Sequence, residues 1–407
     1  MDRKKIMIVG AGAGQVPIIN CSKNHGFYTI VVSPSGPYPG IELADKHIDE
    51  DIYNVDKLVD IGKKEIIDYV ISDQSDFAVP IVAYVAEKLN LPGNGFEVAS
   101  TYTFKSKFRE FTKQNNIPAP KSCVIDNDLY DIKGLQFPLV VKPADSQGSR
   151  GISKVNDLRD LDKAILEAKR YSKHGKVVVE EYFQGRELVC EGFVLDGVYY
   201  NVGFGDRCYF KLKDLFIPSK TIFPSNIDND VKTRIVSNEQ KIASKLQPSF
   251  GIVHSEYLVN DKGEFIVIES ALRGGGVYIA SHLIPLSTGV NLTEALFEAM
   301  VGNTTKCIEI LSSNHNNAAE YLCFYLKEGI VTSVPDLTDY QNMENVALAE
   351  LGNLHLNDII EKFKHKGMRK GPFIISASSI KDIKNTEYKI KENLFIGIDN
   401  ENGIVWQ

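Results

Sequence analysis

The sequence lacks the features that mark membrane proteins and nucleic-acid-binding proteins. No apolar run reaches the roughly 18 residues that a membrane-spanning helix needs, and the net charge of -7 disfavours general attraction to a phosphate backbone. The beginning of the chain, MDRKKIMIVG, is basic, but its apolar run ends at once in glycines, as in a first β-strand rather than a secretory signal. We therefore expect a cytoplasmic protein whose partner is neither nucleic acid nor membrane.

Cysteine is also sparse and irregularly spaced. The six cysteines among 407 residues form no CxxC pair and show no histidine spacing typical of zinc binding. In a reducing compartment such thiols are mostly small buried hydrophobes, so the sequence predicts neither a disulfide framework nor a zinc site. The apolar fraction of 43% is ordinary for a globular protein, and the length allows roughly two to four domains.

The first 95 residues alternate strand and helix patterns, which predicts a parallel, doubly wound sheet. Strands are expected over 5–9, 28–32 and 68–72, and helices over 16–25, 55–64 and 77–89. The string GAGAGQ at 10–15 resembles a dinucleotide fingerprint, but Gln15 replaces the third glycine and the second strand runs into Ser33 rather than an acid. A glycine turn at the edge of a small-molecule site is therefore favoured over NAD binding.

A mixed α and β pattern occupies the rest of the chain. A helical stretch over 100–120 precedes strands at 139–142, 152–155 and 177–179, with a helix capped by Asp157 between the last two. Two hairpins are expected, one over 187–204 that turns at Asp196-Gly197 and one over 253–270. Beyond about residue 310, short strands and a helix over 356–365 predict a small α+β cap.

Two adjoining segments predict a phosphate site. FPLVVKP over 137–143 is a buried strand pattern that ends in Lys142, whose ammonium can meet a phosphate as a point charge. ADSQGSRGI over 144–152 has glycines that allow backbone N–H groups to face phosphate oxygens, although its spacing is not that of a P-loop. Taken alone, the first segment is also compatible with a strand that ends in a solvated lysine. The second is also compatible with an ordinary glycine-containing loop.

Two further segments carry paired carboxylates. In VVVEEYFQGREL over 177–188, a strand ends in Glu180 and Glu181 before an aromatic pair. This pattern fits a segment that binds adenine, or a strand that leaves the core and ends in solvated acids. The second hairpin carries Glu256 and Glu269, and Arg273 follows them. Opposed carboxylates repel unless a cation such as Mg²⁺ bridges them, whereas the alternative turns one glutamate to solvent on the other face of the hairpin.

Together these segments resemble the ATP-grasp superfamily over about residues 1–300. The motifs are the Lys105 helix ending at Ile117-Pro118, KPADSQGSRGI, VVVEEYFQGREL and HSEYLVNDKGEFIVIESALR. The resemblance implies an α/β and α+β fold in three parts. These are a Rossmann-like pre-ATP-grasp domain over 1–98, an ATP-grasp domain of two α+β subdomains over 99–305 with its lid at about 138–183, and a C-terminal α+β cap over 306–407.

The resemblance also implies roles for individual residues. Arg273 and Lys142 would be catalytic, and Glu256 and Glu269 would hold Mg²⁺, for which Mn²⁺ can substitute. The residues that would bind the phosphates, adenine and ribose of ATP are Lys105, Lys142, Ser146, Gln147, Gly148, Ser149, Gly151, Glu180, Glu181, Phe183, Glu187, Leu258 and Ile268.

The string ESALRGGG points to a subtype within this family. Many members carry Asn two residues after the second glutamate, where this chain has Ala271. The string is similar to that of the L-amino acid ligases, which implies a carboxylate–amine ligase that releases ADP and phosphate. Its partners would be small-molecule carboxylates and amines, and a homodimer, frequent among related enzymes, is compatible with the sequence.

Other functions and residues stay open at this stage. A bicarbonate-activating carboxylase, an amide-forming enzyme of surface-sugar biosynthesis and a non-catalytic nucleotide-binding protein are the alternatives. Arg207, Lys211 and Lys220 are candidates for the acceptor side or for surface cations. His254 is either a site residue or a core histidine whose ring nitrogens are hydrogen-bonded within the protein.

Overall fold

The computed structural model describes residues 3–126, 131–132, 134–145, 151–212, 216–276, 278–313 and 315–406. Its N-terminal unit is a four-stranded parallel sheet in the order β3-β2-β1-β4. The elements are β1 (Lys5–Val9), α1 (Val16–Asn24), β2 (Tyr28–Ser33), α2 (Pro39–Leu43), β3 (Lys46–Asp49), α3 (Val55–Glu65), β4 (Tyr69–Ile71) and α4 (Ala78–Leu89). The predicted parallel sheet is confirmed. Strand β3 was not predicted, because KHID has no buried apolar run.

The stretch expected as one helix is two, α5 (Phe96–Thr103) and α6 (Lys105–Gln114). Phe104 between them is extended, with φ -92° and ψ 116°, so Lys105 becomes the first residue of α6. The helices lead into a second, antiparallel sheet in the order β5-β8-β6-β7. Its elements are β5 (Ser122–Ile125), β6 (Leu139–Pro143), β7 (Ser153–Val155), α7 (Leu161–Tyr171) and β8 (Val177–Glu181).

We call this sheet and α7 the lid. The predicted N-cap residue Asp157 caps the short 3-10 turn before α7, where its carboxylate accepts a hydrogen bond from the Arg159 N–H. The N-cap residue of α7 itself is Asp160, which makes no side-chain capping hydrogen bond. The apolar side chains of α7 pack on the sheet in a small core of their own, together with Leu139, Val141 and Val179. The lid therefore has a core separate from the sheet that follows it.

The central sheet contains both predicted hairpins. They are β9 (Arg186–Leu195) with β10 (Val198–Tyr209), and β12 (Phe250–Val259) with β13 (Phe265–Ala271); β11 (Pro218–Phe223) and α8 (Asn229–Leu246) lie between them. Asp196 and Gly197 both have positive φ, 48° and 73°, as a two-residue turn matched to the strand twist requires. Helices α9 (Ile284–Thr288), α10 (Leu292–Met300) and α11 (Thr304–Leu311) follow a π-helical turn at Ile279–Leu283.

The C-terminal segment continues the central sheet. Strand β11 pairs with β14, and the nine-stranded sheet runs β13-β12-β9-β10-β11-β14-β18-β16, with β21 also paired to β14. The elements are β14 (Ala318–Leu326), β15 (Gly329–Ser333), α12 (Thr338–Gln341), β16 (Val346–Ala349), β17 (Ile359–Ile360), β18 (Lys370–Ala377), α13 (Ile380–Asn393), β19 (Gly397–Ile398), β20 (Glu401–Asn402) and β21 (Ile404–Val405).

The helix predicted over 356–365 is wrong. That stretch contains only the short strand β17, and a 3-10 turn follows at Lys366–Met368. Phe363 stacks on Tyr325 at 4.3 Å between ring centroids and meets Phe210 edge-on. This tertiary packing outweighs the local helical pattern, because a few buried aromatic contacts exceed the small propensity differences that favour a helix.

Membrane insertion through a helix has no support in the described part of the chain. None of the helices found there has the combined length and hydropathy that a bilayer span requires.

Candidate active site

A cleft of about 920 Å³ lies between the lid, the central sheet and the loops that follow the N-terminal strands. Eleven predicted site residues line it: Lys105, Lys142, Glu180, Glu181, Phe183, Glu187, Glu256, Leu258, Ile268, Glu269 and Arg273. Gly14 and Gln15 line it as well, so the predicted glycine turn lies at the edge of this cleft; its role toward a small molecule stays a prediction. Gly151 is not among the lining residues, and Ser146, Gln147, Gly148 and Ser149 lie outside the described residues.

Glu256 and Glu269 face each other across the β12–β13 hairpin. They are direct register partners on the antiparallel strands, so the alternative that turned one of them to the opposite face is wrong. Burial would raise the pKa of Glu256, but the Arg207 guanidinium and His254 hold that pKa well below its usual range. The Lys105 ammonium lies 3.5 Å from a carboxylate oxygen of Glu269. Cations therefore already balance both carboxylates.

This pair fits a hard divalent cation. Mg²⁺ takes oxygen ligands and in nucleotide sites typically uses one or two carboxylates together with phosphate oxygens. No cysteine or histidine is among the described residues that line the cleft, so nothing in that lining favours a softer metal. After Glu256 the register shifts by one residue, because β13 carries the extra residue Ile268. Leu258 lies two positions after Glu256 on β12 and lines the cleft with it.

Lys142 and Lys105 supply two cations to the same cleft from different elements. Lys142 ends the predicted strand β6, and its ammonium pairs with Glu180 at 2.7 Å. Burial and the nearby Arg109 and Lys105 lower the pKa of Lys142 despite Glu180. For Lys105 burial also opposes the charge, but Glu269 and Asp76 raise the pKa. The two lysines can therefore meet phosphate oxygens from two sides.

Glu180 has partners that the sequence did not reveal. Its carboxylate oxygens accept hydrogen bonds from Arg109 Nε at 2.6 Å and from Lys142 Nζ at 2.7 Å, and only 3% of the residue is exposed. Burial would raise its pKa, but Arg109 and Lys142 lower the pKa to about 2. Because both oxygens are engaged, Glu180 orients Lys142, and its contact with adenine stays a prediction.

We expect the Glu180→Gln substitution to destabilise the protein by about 3–5 kcal/mol at neutral pH, because it leaves Arg109 and Lys142 buried without their counter-charge. The folded pKa of about 2 lies below the ordinary 4.5. The carboxylate therefore contributes stability above pH ~4.5 that is lost as the pH falls through ~2.

The free energy of unfolding of the wild type and of the Glu180→Gln variant, measured with denaturant between pH 7 and pH 3, checks this expectation. The matched control is Glu181→Gln, one residue later, since Glu181 is partly exposed and lies 3.8 Å from Lys121; its cost should stay within ~1 kcal/mol. Equal destabilisation by both substitutions would contradict the account.

The segment over 181–187, which we call the hinge, also lines the cleft. The Glu187 carboxylate accepts hydrogen bonds from Arg207 Nη1 at 2.6 Å and from the Tyr209 hydroxyl. Arg207 also donates to Glu256, so one guanidinium links the hinge to the carboxylate pair. Glu181 accepts from the Gln136 N–H at 3.0 Å. The ribose and adenine roles of these acids and of Phe183, Leu258 and Ile268 stay predictions.

Arg273 is held from the N-terminal unit. Its Nε donates to the Asp76 carboxylate, which belongs to the loop after β4, and its Nη1 donates to the Gly274 carbonyl at 2.8 Å. A Cβ at Gly274 would lie 2.9 Å from Asp73, and one at Gly275 would lie 2.5 Å from Glu191. The glycines after Arg273 therefore allow the chain to pass close to two buried acids.

Sequence reasoning missed Arg109, Asp76 and Tyr209. Asp76 had a signal, because DQSD over 73–76 follows β4 at the carboxyl edge of a parallel sheet, where ligands usually bind. Arg109 and Tyr209 had none, since their partners are 71 and 22 residues away in the chain.

His254 is a buried residue that supports the site. Its Nδ1 pairs with Glu191, and its Nε2 lies 3.4 Å from Glu256. Burial would lower its pKa, but Glu191 raises the pKa to about 9, so His254 is a cation at neutral pH. Of the open acceptor-side candidates, Arg207 lies in the cleft. Lys220 pairs instead with Glu320 and Glu387, and Lys211 is exposed outside the cleft.

Sequence comparison with known proteins finds a domain match and distant relatives. Residues 135–281 match the family model of the ATP-grasp domain. The large chain of carbamoyl phosphate synthase from Clostridium acetobutylicum is 24% identical over 333 residues, which are 75% of this chain and 30% of the relative. The D-alanine–D-alanine ligase of Francisella philomiragia is 26% identical over 192 residues, which are 46% of this chain and 63% of that ligase. The chain thus spans less than two thirds of the length of these relatives.

Two solved structures share the architecture over nearly the whole chain. The L-amino acid ligase of Bacillus licheniformis superposes with a TM-score of 0.82 at 20% identity and covers 98% of this chain and 100% of its own. The phosphoribosylglycinamide synthetase of Anaerococcus prevotii gives 0.75 at 21% identity with the same coverage. At such identities the likeness establishes the fold, which extends beyond the matched domain to both ends of the described chain.

Proposed function

We propose that this chain, which contains an ATP-grasp domain, is an ADP-forming ligase that activates a carboxylate with ATP and joins it to an amine. The amino acids are the substrate class we favour. One observation carries the proposal: the facing glutamates Glu256 and Glu269 share a single cleft with Lys105, Lys142 and Arg273. A protein that only binds a nucleotide has little need for a carboxylate pair and an arginine at the phosphate end.

The cleft offers groups for the different parts of ATP. Leu258 and Ile268 offer an apolar wall for the purine. Lys105 and Lys142 would meet the phosphates. Glu256 and Glu269 would hold Mg²⁺, which when bound neutralises phosphate charge and polarises the transferring group.

The proposed reaction has two steps. A carboxylate oxygen of the substrate attacks the γ-phosphorus, the bond to the ADP oxygen breaks, and an acyl phosphate forms. An amine then attacks the acyl carbon, the carbonyl re-forms as phosphate leaves, and the amine loses a proton. Phosphoryl transfer depends on positioning and on neutralising charge, which is what Lys142 and the planar guanidinium of Arg273 supply in this cleft.

Several observations support amino acids as substrates. The ESALRGGG string resembles that of L-amino acid ligases, and the L-amino acid ligase structure has the same fold over the whole described chain. The name of the relative from Francisella philomiragia also describes the joining of two amino acids. Amino acids bring a carboxylate and an ammonium, and the cleft offers both cations and acids to receive them.

Lys366 is a residue that we assign to the carboxylate substrate. It comes from the C-terminal segment, lines the cleft, and has no anionic partner within hydrogen-bond distance among the described residues. Partial desolvation and the neighbouring Arg369 lower its pKa, so a bound carboxylate would stabilise its charged form. Glu256 raises the pKa of Lys366 and Arg273 lowers it, so these three cleft residues influence one another electrostatically.

We expect Lys366→Gln to raise the KM for the carboxylate substrate about tenfold or more while kcat falls less, because a hydrogen bond to a charged group contributes roughly 1.5–3 kcal/mol to binding. The matched control is Lys364→Gln, two residues away, where the side chain is exposed and lies 3.8 Å from Glu361. Equal steady-state constants for the Lys366 variant and the wild type would contradict this assignment.

ADP release from Mg-ATP, screened against pools of amino acids, other carboxylates and bicarbonate, tests the proposed function. Stimulation by an amino-acid pool, and by a pair of amino acids within it, is the expected result. Stimulation by bicarbonate alone would replace the proposal with a carboxylase. ATP binding without ADP release in any pool would favour the non-catalytic alternative.

A further inference from the structure

A second cluster of ligand-bearing side chains lies outside the cleft, between α1 and α10. Cys21 and His25 come from α1 and its C-terminal end, and Glu294 comes from the first turn of α10. Their ligand atoms all lie within 4.8 Å of one another. None of the three lines the cleft described above. Cys21 and His25 are four positions apart, a helical spacing that places both on one face.

The contacts within this cluster are specific. The Cys21 thiol donates to Glu294 Oε2 at 3.2 Å, and His25 Nε2 lies 2.5 Å from Glu294 Oε1. Each of the two carboxylate oxygens therefore faces a different potential metal ligand. Zn²⁺ binds sulfur at about 2.3 Å and nitrogen or oxygen at about 2.0–2.2 Å, so small side-chain rotations would bring all three atoms to one ion.

The surroundings hold these side chains in place. The His25 ring stacks on Phe297 at 4.3 Å between centroids with an interplanar angle of 25°. The first turn of α10 is fixed because the Asn291 side chain accepts the Glu294 N–H at 3.1 Å. Orientation of ligands by neighbouring groups is a usual feature of metal sites.

The three residues differ in solvent exposure, which leaves the cluster open on one side. Cys21 is 8% exposed, whereas the side chains of His25 and Glu294 are 32% and 29% exposed. A metal could enter from the solvent side and keep a water ligand there. Three protein ligands plus an open position are typical of zinc sites that exchange their fourth ligand.

We propose that Cys21, His25 and Glu294 form a binding site for a zinc-class divalent cation that bridges α1 of the N-terminal unit to α10. Sulfur, imidazole and carboxylate ligands together select zinc, cobalt or similar ions over magnesium. Binding replaces the thiol proton with the metal, and the proton leaves to solvent. The site is thus separate in place and in chemistry from the glutamate pair of the cleft.

Cobalt(II) titration of the full-length protein in the presence of excess Mg²⁺ tests this proposal. We expect one equivalent to produce a near-ultraviolet thiolate-to-cobalt charge-transfer band. The cleft cannot give that band, since no cysteine is among its described lining residues. Zinc should compete the band away and should raise the thermal unfolding midpoint, because a ligand that binds only the folded state stabilises it.

The variants Cys21→Ser and His25→Gln should lose the band and bind at least about 100-fold more weakly, more than the ~10–100-fold usual for outer-shell partners. Cys123→Ser, a cysteine in the lid, is the control that should keep it. Circular dichroism confirms that each variant is folded. No thiolate band in the wild type, or a band that persists in folded Cys21→Ser, would overturn the proposal and leave an ordinary hydrogen-bonded contact between two helices.

Discussion

Replacing Glu269 by Gln is expected to lower kcat for ADP release by at least about 100-fold, because removal of one carboxylate from the pair withdraws a metal ligand worth several kcal/mol of charge stabilisation. Glu269 is a sharper choice than Glu256. Glu256 also accepts from Arg207 and lies against His254, whereas the ion pair described for Glu269 is with Lys105 at 3.5 Å. The dependence of the rate on Mg²⁺ concentration should shift to higher concentrations in the variant.

The control for this prediction lies on the same hairpin. Glu264 is exposed near the turn and accepts a hydrogen bond from Asn260, so Glu264→Gln removes the same charge from the same element without touching the cleft. Its rate should remain within a few-fold of the wild type. A Glu269→Gln protein that kept full activity and the original Mg²⁺ dependence would contradict the metal role.

The second large effect is expected at Arg273. Arg273→Lys should lower kcat by about 10²–10³-fold, since a preorganised donor at the position where charge develops contributes that much in other enzymes. A lysine keeps the charge but not the planar fork that matches phosphate oxygens. The KM for ATP should change much less, because Lys105 and Lys142 remain to bind the phosphates.

Asp76 extends this test. It accepts from Arg273 across the boundary between the N-terminal unit and the hairpin, so Asp76→Asn should give a smaller loss in kcat than Arg273→Lys. Arg234→Lys is the matched control, because Arg234 is exposed on α8 and pairs with Asp230. The test is the steady-state kcat of the folded Arg273→Lys, Asp76→Asn and Arg234→Lys variants, each compared with the wild type. An Arg273→Lys enzyme with wild-type kcat would contradict the assigned role.

Local pattern was enough to predict the elements that carry the site. The alternation in the first 95 residues predicted the parallel sheet, and the Asp196-Gly197 turn fixed one hairpin. In the second hairpin the register shifts by one residue at Glu256, and Glu256 and Glu269 prove to be direct partners. Without that shift the two side chains would lie on opposite faces, so their spacing alone left the pairing undecided.

Long-range contacts were not accessible in the same way. The salt bridge from Arg109 to Glu180 spans 71 positions and the one from Asp76 to Arg273 spans 197, and no pattern in one sequence links such residues. The mistaken helix over 356–365 has the same origin, because the packing of Phe363 on Tyr325 is tertiary. The Cys21–Glu294 contact, at 273 positions, explains why the sequence predicted no zinc site.

The central claim is that a substrate carboxylate receives the γ-phosphoryl group. The most direct measurement uses a mixture of L-amino acids labelled with ¹⁸O in their carboxylates, incubated with Mg-ATP and the wild-type protein. We expect the released phosphate to carry one ¹⁸O atom for each ADP formed, since the carboxylate oxygen stays on phosphorus when the amine displaces phosphate. ADP accompanied by unlabelled phosphate, or release of AMP and pyrophosphate, would contradict the claim.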